Sequence, residues 1–330
     1  MQVWVFLLLG IAAIAAACGR QPAPASAPLT ETAAAPPADS APSTGPIAAS
    51  FRHVHLHVND GIVLEISRLD GALVSARAGV IPVFDDPRSF TVRIDSGEIA
   101  MSPRSLSNLM NQHVFAYEGA PLKNLELSIA SGHLEQKGTL HKGIDMPFSV
   151  VAEVSMTTDG RIRLHPISVK VLGIPSVGLM KLLGIDLGGL IKLNATSGVE
   201  IEGDDFLLTP DRLLPSPRIA GRLTGVRIEG DRLLELFGPS QATTPAMPPD
   251  RTAANFLYFR GGSLRFGRLT MSDADLEIVD DARGDAFEFS LPHYLDQLVA
   301  GYSKTTPSGG LIVHMRNYQA PVMSAPPHQR

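Results

Sequence analysis

The sequence has little of what crosslinks a chain, binds nucleic acid or spans a membrane. Cysteine occurs once in 330 residues, so no disulfide can form within the chain. The 28 basic residues against 33 acidic ones form no basic patch, which argues against nucleic acid as a partner. The apolar run 3–17 is shorter than the roughly 20 residues that a membrane-spanning helix needs.

Local catalytic motifs are also absent. The chain has no Gly-x-Ser-x-Gly elbow, phosphate-binding loop or His-Glu-x-x-His motif. No local motif therefore supports a hydrolase, nucleotide-binding or metalloprotease function. Catalytic residues can be dispersed along a sequence, and an enzyme is therefore not excluded. The sequence predicts no catalytic residue and no cofactor.

The apolar run 3–17 ends in Ala15-Ala16-Ala17, directly before Cys18. This arrangement resembles the lipobox of bacterial lipoproteins. The resemblance implies that residues 1–17 are a signal peptide, that Cys18 is acylated, and that lipid on Cys18 tethers the protein to a membrane. Gly19 gives no inner-membrane retention signal of the aspartate kind, so we expect the periplasmic face of the outer membrane. The alternative is an ordinary signal peptide with Cys18 incidental, but acylation explains a lone exported cysteine better.

Composition divides the rest of the chain. Residues 18–50 are rich in Ala, Pro, Ser and Thr and predict a disordered tether, because they bury too little apolar surface to offset the entropy of ordering. We expect a β-rich domain over 51–238, a Pro-rich linker over 239–254, a β-rich C-terminal extension over 255–320 and a frayed tail over 321–330. Whether 255–320 is separate or shares the same core stays open.

Short alternating segments predict an α+β, β-rich fold. Apolar residues occupy every second position in 54–58, 90–94, 125–129 and 161–165, which is typical of strands with one buried face. Turn signals at 59–61, 70–71, 159–160 and 203–205 favour antiparallel hairpins. We expect a long, strongly twisted antiparallel sheet.

Two helices are predicted among the strands. Ser102 and Pro103 form a capped start for a helix over 102–113, in which Leu106, Leu109 and Met110 share a face. A second helix is predicted over 231–237, ended by Gly238. The segments 199–204 and 226–231 also echo each other, which suggests a repeated strand-to-turn unit.

The segment 171–193 is strongly apolar but rich in glycine, and it predicts short helical turns. Its apolar side chains pack either into the protein core or against an acyl chain. In the second interpretation an apolar groove is lined by Leu106, Leu109, Met110, Leu179, Leu182, Leu183, Leu187, Leu190 and Ile191.

The run Thr158-Asp159-Gly160-Arg161-Ile162-Arg163-Leu164-His165-Pro166-Ile167-Ser168-Val169-Lys170-Val171-Leu172-Gly173-Ile174-Pro175, followed by the Leu-rich segment, resembles bacterial envelope lipid-binding proteins of the LmeA type. That group is similar to tubular lipid-binding domains. Over about residues 85–237, the resemblance implies a long curved sheet that wraps a few helices and encloses lipid. It implies lipid binding or transfer without chemistry.

His53, His55 and His57 alternate along a predicted strand, so all three imidazoles are expected on one face. Alternate histidines can ligate zinc or copper, with a further ligand from another strand. A solvent-facing polar surface is the simpler interpretation, and these residues are weak metal candidates.

Three hypotheses follow from the sequence. The first is a lipid-binding or lipid-shuttling module with a continuous apolar groove. The second is a non-enzymatic scaffold or assembly lipoprotein of the cell envelope, with a filled core. The third is a metal binder or metal-dependent enzyme at the three histidines. The first is favoured, with a lipid and the membrane as partners and protein partners unknown.

Overall fold

The computed structural model describes residues 45–141, 144–172, 174–176, 198–238, 245–282 and 284–319. These residues form a β-rich body with a large mixed sheet, a second sheet and a few short helices, as the alternating segments predict. Some predicted sites lie outside the described residues, namely Cys18, Leu179, Leu182, Leu183, Leu187, Leu190 and Ile191.

The larger sheet has 11 strands in its described part. Its main path runs β12-β13-β3-β2-β1-β14-β17-β20-β19, while β11 pairs with β3 and β18 pairs with β1. The bounds of its strands are β1 Ile47–His57, β2 Val63–Ser75, β3 Phe90–Met101, β11 Arg218–Gly221, β12 Leu223–Glu229, β13 Arg232–Phe237, β14 Phe256–Arg260, β17 Asp275–Asp280, β18 Phe287–Ser290, β19 Tyr302–Thr305 and β20 Leu311–Met315.

Three strand pairs of this sheet are parallel, namely β1 with β18, β3 with β11 and β17 with β20. The expectation of a purely antiparallel sheet is therefore wrong here. Turn signals report only on hairpins between neighbouring strands. The parallel partners are far apart in sequence and are joined by long connections, which no local turn signal records.

The second sheet has 7 strands and is antiparallel throughout, in the order β4-β5-β6-β7-β10-β9 with β8 on β7. Its strands are β4 Leu122–Ala130, β5 His133–His141, β6 Asp145–Met156, β7 Ile162–Val171, β8 Ile174–Ser176, β9 Val199–Glu202 and β10 Asp205–Leu208. A small hairpin, β15 Leu264–Phe266 with β16 Leu269–Met271, completes the described strands.

The described helices are short: α1 Pro103–Leu109, α2 Pro210–Leu213 and α3 Tyr294–Ala300, with a 3-10 turn at Pro87–Ser89. The prediction of a helix from Ser102 is confirmed, because the Ser102 side chain accepts a hydrogen bond from the Ser105 N–H. A π-helical turn, Met110–Val114, continues α1.

The predicted helix over 231–237 is wrong, because Arg232–Phe237 form strand β13 and Asp231 lies in the turn before it. Gly230 has a φ of 60° and Glu229 pairs with Arg232, so Gly230 and Asp231 make a two-residue hairpin turn between β12 and β13. The similar segment 199–204 also ends in a hairpin turn. Gly203 has a φ of 60°, and its hairpin joins β9 to β10. The echo thus marks two similar hairpins.

Asp70 and Gly71 do not form the predicted turn, since both lie inside β2. The register between β2 and β3 shifts at this point, which makes the pair a β-bulge. A Cβ atom on Gly71 would lie 1.9 Å from the Arg93 carbonyl oxygen. Glycine is needed here for the close approach of two backbones, not for a reversal of the chain.

Strand β1 begins at Ile47, inside the range 18–50 that composition assigns to the tether. Ile47 is fully buried, and Ala49 is buried beside it. The composition of 18–50 averages over this short apolar start and so places the boundary too late. Strand β14, which follows the Pro-rich residues, pairs with β1 along Ala48–Arg52.

One core cluster contains buried side chains from both large sheets. Its aromatic centre is Phe84, whose ring centroid lies 5.3–6.4 Å from those of Phe90, Phe259, Phe266, Phe289 and Tyr294. Most of these ring pairs meet edge to face, an arrangement that aromatic quadrupoles favour. Although aromatic residues are only 6% of the chain, they are concentrated here.

Candidate functional site

Helix α1 lies against the edge strand β4 of the seven-stranded sheet. The Asn111 side chain donates to the Leu125 carbonyl oxygen at 2.7 Å and accepts from the Leu125 N–H at 2.9 Å. Ser107 Oγ accepts from the Leu127 N–H at 2.8 Å. These bonds occupy backbone groups of β4 that an edge strand leaves unpaired. They fix the apolar face of α1 over this sheet.

An apolar cavity of about 90 Å³ lies between α1 and this sheet. We call it the larger cavity, because a second apolar cavity of about 40 Å³ adjoins it. On this measure about 15 Å³ holds one water, so there is room for several methylene-sized groups. The lining residues are Leu106, Met110, Phe115, Leu122, Leu127, Leu134, Gln136, Leu140, Phe148, Val150, Ala152, Leu164, Pro166, Val171, Val199, Phe206, Leu208 and Leu233.

The alternation of the strands produces this lining. On β6, for example, Phe148, Val150 and Ala152 face the cavity, while Val151 and Glu153 face the other side of the sheet. Phe148, Leu164 and Phe206 are only half-buried although they are large and apolar. Gln136 is the one polar side chain in these described walls.

A smaller cavity of about 40 Å³ adjoins the larger one. Leu106, Met110, Leu208 and Leu233 line both cavities. Of the groove residues expected on α1, Leu106 and Met110 are thus in both walls, and Leu109 is in the wall of the smaller cavity. The other wall residues include Leu64, Ile99, Met101, Ile162, Pro210, Leu213, Leu214, Ile219, Glu235 and Phe237.

Glu235 is the only charged side chain among the described residues of the smaller cavity's wall. It lies on β13 between Leu233 and Phe237, which face the same cavity, and it pairs with Ile99 of β3. Within the described residues its carboxylate has no hydrogen bond or ion pair. The side chain is half-buried, and desolvation by the surrounding apolar side chains raises the pKa of Glu235 to about 7.

The sequence reasoning missed Glu235 because it predicted a helix at this position. As a helix, 231–237 would place Glu235 away from Leu233 and Phe237. As a strand, the period of two places all three on one face. The signal that could have found it is a lone charge inside the alternating run Leu233, Glu235, Phe237.

Two exposed apolar residues flank strands whose side chains line the larger cavity. Ile144 directly precedes β6 and is 66% exposed, and Leu172 directly follows β7 and is 60% exposed. The Leu172 N–H donates to the Pro147 carbonyl oxygen at 2.9 Å, so the two strand ends are held together. Val171, the neighbour of Leu172, lines the larger cavity. Exposed apolar side chains thus flank these two strand ends, and we call the pair the apolar rim.

The three histidines do not share one partner or one face of the strand. His55 Nδ1 lies 2.6 Å from Glu288 Oε1, and His57 Nε2 lies 2.5 Å from Glu288 Oε2. His53, with a φ of 48°, lies where β1 changes partner from β14 to β18, and its Nδ1 lies 3.4 Å from the Ala254 carbonyl oxygen. The left-handed backbone at His53 breaks the alternation of β1, so the expectation of one shared face is wrong for His53.

Glu288 on β18 is the partner that sequence reasoning missed. Burial opposes its charge, but the hydrogen bonds from His55 and His57 outweigh burial and lower the pKa of Glu288 to about 2. The bond to Glu288 raises the pKa of His55. Within the described residues, no group of three or more His, Cys, Asp or Glu side chains is arranged to hold a metal ion.

A buried carboxyl elsewhere provides a contrast to Glu235. Glu277 on β17 is fully buried, and burial raises its pKa to about 7. Its Oε2 accepts a hydrogen bond from the Asp250 N–H at 2.8 Å. Glu277 is thus held by the Pro-rich segment before β14, whereas Glu235 faces a cavity.

The described helices are all too short or too polar to cross a bilayer. By fold and site, the described residues define a β-rich protein with an apolar cavity between a helix and an antiparallel sheet. No protein-family model, curated protein or solved structure matches this chain.

Proposed function

We propose that this protein binds a lipid by one of its apolar chains, in the larger cavity between α1 and the seven-stranded sheet. The observation that carries the proposal is the wall of that cavity, in which Gln136 is the one polar side chain among the described residues. Ligand sites for apolar molecules are concave and lined mainly by hydrophobic side chains. Binding or shuttling of a lipid requires no catalytic residue.

The half-buried residues of the wall support an occupant. Phe148, Leu164 and Phe206 keep apolar surface uncovered inside the protein, and an acyl chain would remove that surface from contact with water. The apolar rim at Ile144 and Leu172 supports entry of a chain beside these strand ends. Exposed apolar groups beside an apolar cavity suit a ligand that arrives from a membrane.

The twist of the seven-stranded sheet and its position around α1 are part of the same proposal. We propose that the seven-stranded sheet is the strongly twisted sheet that the LmeA-type resemblance implies, and that it wraps α1. The contacts of Asn111 and Ser107 with β4 support this arrangement, because they attach the helix along the edge of the sheet.

The location of the protein is a proposal from the first fifty residues. We propose that lipid on Cys18 anchors an exported protein in the cell envelope, at the periplasmic face of the outer membrane. The small-residue run before Cys18 and the Pro-rich residues after it support this location. Such an anchor would keep the lipid-binding body close to a source of ligand.

The two alternatives have weaker support. A scaffold lipoprotein would have a filled core, which does not account for the apolar cavity. A metal site at the histidines would need a shared set of ligands, but His53 lies apart from His55 and His57, which both bond Glu288. No observation specifically favours either alternative.

Native mass spectrometry of the protein purified without detergent tests the proposal, together with organic extraction and metal analysis of the same sample. We expect a co-purifying lipid. Ala152→Phe should remove it by filling the larger cavity, whereas Val151→Phe places a phenylalanine on the opposite face of β6 and should retain the lipid. A protein that is empty and free of metal would favour the scaffold, and stoichiometric metal would favour the metal binder.

A further inference from the structure

The smaller cavity has one charged side chain in its described wall, and binding of an apolar chain does not require it. Glu235 lines this cavity, and in the part of the chain that the structure describes its carboxylate has no partner. The side chain is half-buried and faces apolar side chains, so its carboxylate keeps only part of its hydration. A ligand that brings a hydrogen-bond donor into this cavity would therefore find its one charged partner in the described wall at Glu235.

The position of Glu235 relates it to a chain in the larger cavity. Leu233 lines both cavities and is two residues from Glu235 on the same face of β13. Side chains two residues apart on a strand are separated by about 7 Å. A ligand whose chain fills the larger cavity can therefore place its polar end against Glu235.

The charges of the side chains that line the two cavities indicate which polar group the ligand carries. No arginine, lysine or histidine lines either cavity in its described residues, so an anionic group would meet only Glu235 and would be repelled. A protonated amine is attracted by the ionised carboxylate and can donate hydrogen bonds to both oxygens. A hydroxyl group can donate one neutral bond, which is weaker.

We infer that Glu235 recognises the head of the bound amphiphile, and that the ligand is an amine-bearing amphiphile with a single apolar chain reaching into the larger cavity. This inference rests on the proposed function. Because the pKa of Glu235 lies at about 7, binding of an ammonium group at pH 7 converts the protonated fraction of the carboxyl to carboxylate. Each bound amine should therefore release about half a proton to the buffer, as expected when the pKa equals the pH.

The test is isothermal titration calorimetry of the purified protein with decylamine, 1-decanol and decanoate at pH 7, in two buffers of different ionisation enthalpy. We expect decylamine to bind about tenfold to a hundredfold more tightly than decanoate, as a charge-assisted hydrogen bond would give. Only decylamine should release protons. In Glu235→Gln the preference for decylamine and the proton release should both disappear.

The matched control is Glu98→Gln. Glu98 lies on the neighbouring strand β3 and pairs with Leu236, on the face opposite Glu235. This variant should keep both the preference and the proton release. If the unchanged protein binds all three ligands equally and without proton release, the inference about Glu235 is overturned while the lipid-binding proposal stands. If it binds none of the three, both fail.

Discussion

Glu288 holds His55 and His57, and replacing it with glutamine should destabilise the protein in a pH-dependent way. The pKa of Glu288 is lowered from 4.5 to about 2, which at 1.36 kcal/mol per unit corresponds to about 3 kcal/mol. The side chain is 34% exposed, and solvent screening reduces the contribution of such pairs. We therefore expect Glu288→Gln to cost about 1–2 kcal/mol of unfolding free energy where both partners are charged.

The sign of the pH dependence follows from the two shifted groups. The lowered pKa of Glu288 gives stability that is present above about pH 4.5 and is lost as the pH falls towards 2. The raised pKa of His55 gives stability that is present below pH 6.5 and is lost as the pH rises through its folded-state value. The two pKa shifts arise from the same contact between His55 and Glu288, so its free energy is counted only once. Its contribution should be greatest between about pH 4.5 and 6.5.

Urea unfolding followed by circular dichroism at pH 3, 5.5 and 8.5 measures this effect. The difference between the unchanged protein and Glu288→Gln should be largest at pH 5.5. Asp145→Asn is the control, since His141 and Asp145 also approach to 2.6 Å but are exposed. It should change the stability little at every pH. A Glu288→Gln effect that is equal at the three pH values, or largest at pH 8.5, would refute the reasoning.

Three further substitutions and one control test the packing. Phe84→Ala should cost about 3–5 kcal/mol in urea unfolding, because it empties the centre of the aromatic cluster; a cost below 1 kcal/mol would contradict that role. Gly71→Ala should cost about 3 kcal/mol, as a Cβ there meets the Arg93 carbonyl oxygen, whereas Gly225→Ala, with only a side chain at 3.2 Å, should cost much less. Asn111→Ala should cost about 1–3 kcal/mol by leaving backbone groups of Leu125 unpaired. Faster amide exchange at Leu125 would accompany it, and unchanged exchange would argue against the edge contact.

The sequence predicted the β-rich fold because alternation is a local signal that most strands here carry. The segment 125–129 alternates and lies in β4, and 161–165 alternates and lies mainly in β7. The start of α1 was predictable for the same reason, since a serine cap and a proline at the first turn are local features. The parallel pairs depend on contacts between distant segments and leave no local trace.

Short apolar runs were the main source of error. Leu233, Leu234 and Phe237 fit one face of a helix, but they also fit a strand, and the hairpin at Gly230 decided in favour of the strand. Tertiary pairing of β13 with β3 overrides helix propensity here. The same error hid Glu235, because only the strand period places it on the cavity wall.

The partners of the histidines could not be predicted from spacing. Glu288 follows His55 by 233 positions, and the two meet only because β18 pairs with β1 in parallel. The walls of the larger cavity were partly predictable, since Leu106 and Met110 were expected to face an apolar groove. The apolar faces of β4 to β7 supply most of the remaining wall, and the alternation of β4 and β7 was identified in the sequence.

Affinity for a series of alkyl ligands of increasing chain length tests the central claim most directly. Each methylene that enters the larger cavity should add about 0.8 kcal/mol, which is about a fourfold gain in affinity. The gain should stop when the cavity is full, and it should stop at a shorter chain in Ala152→Phe than in Val151→Phe. Affinity that does not depend on chain length, or a series that is identical in the two variants, would contradict the assignment of the larger cavity as a lipid site.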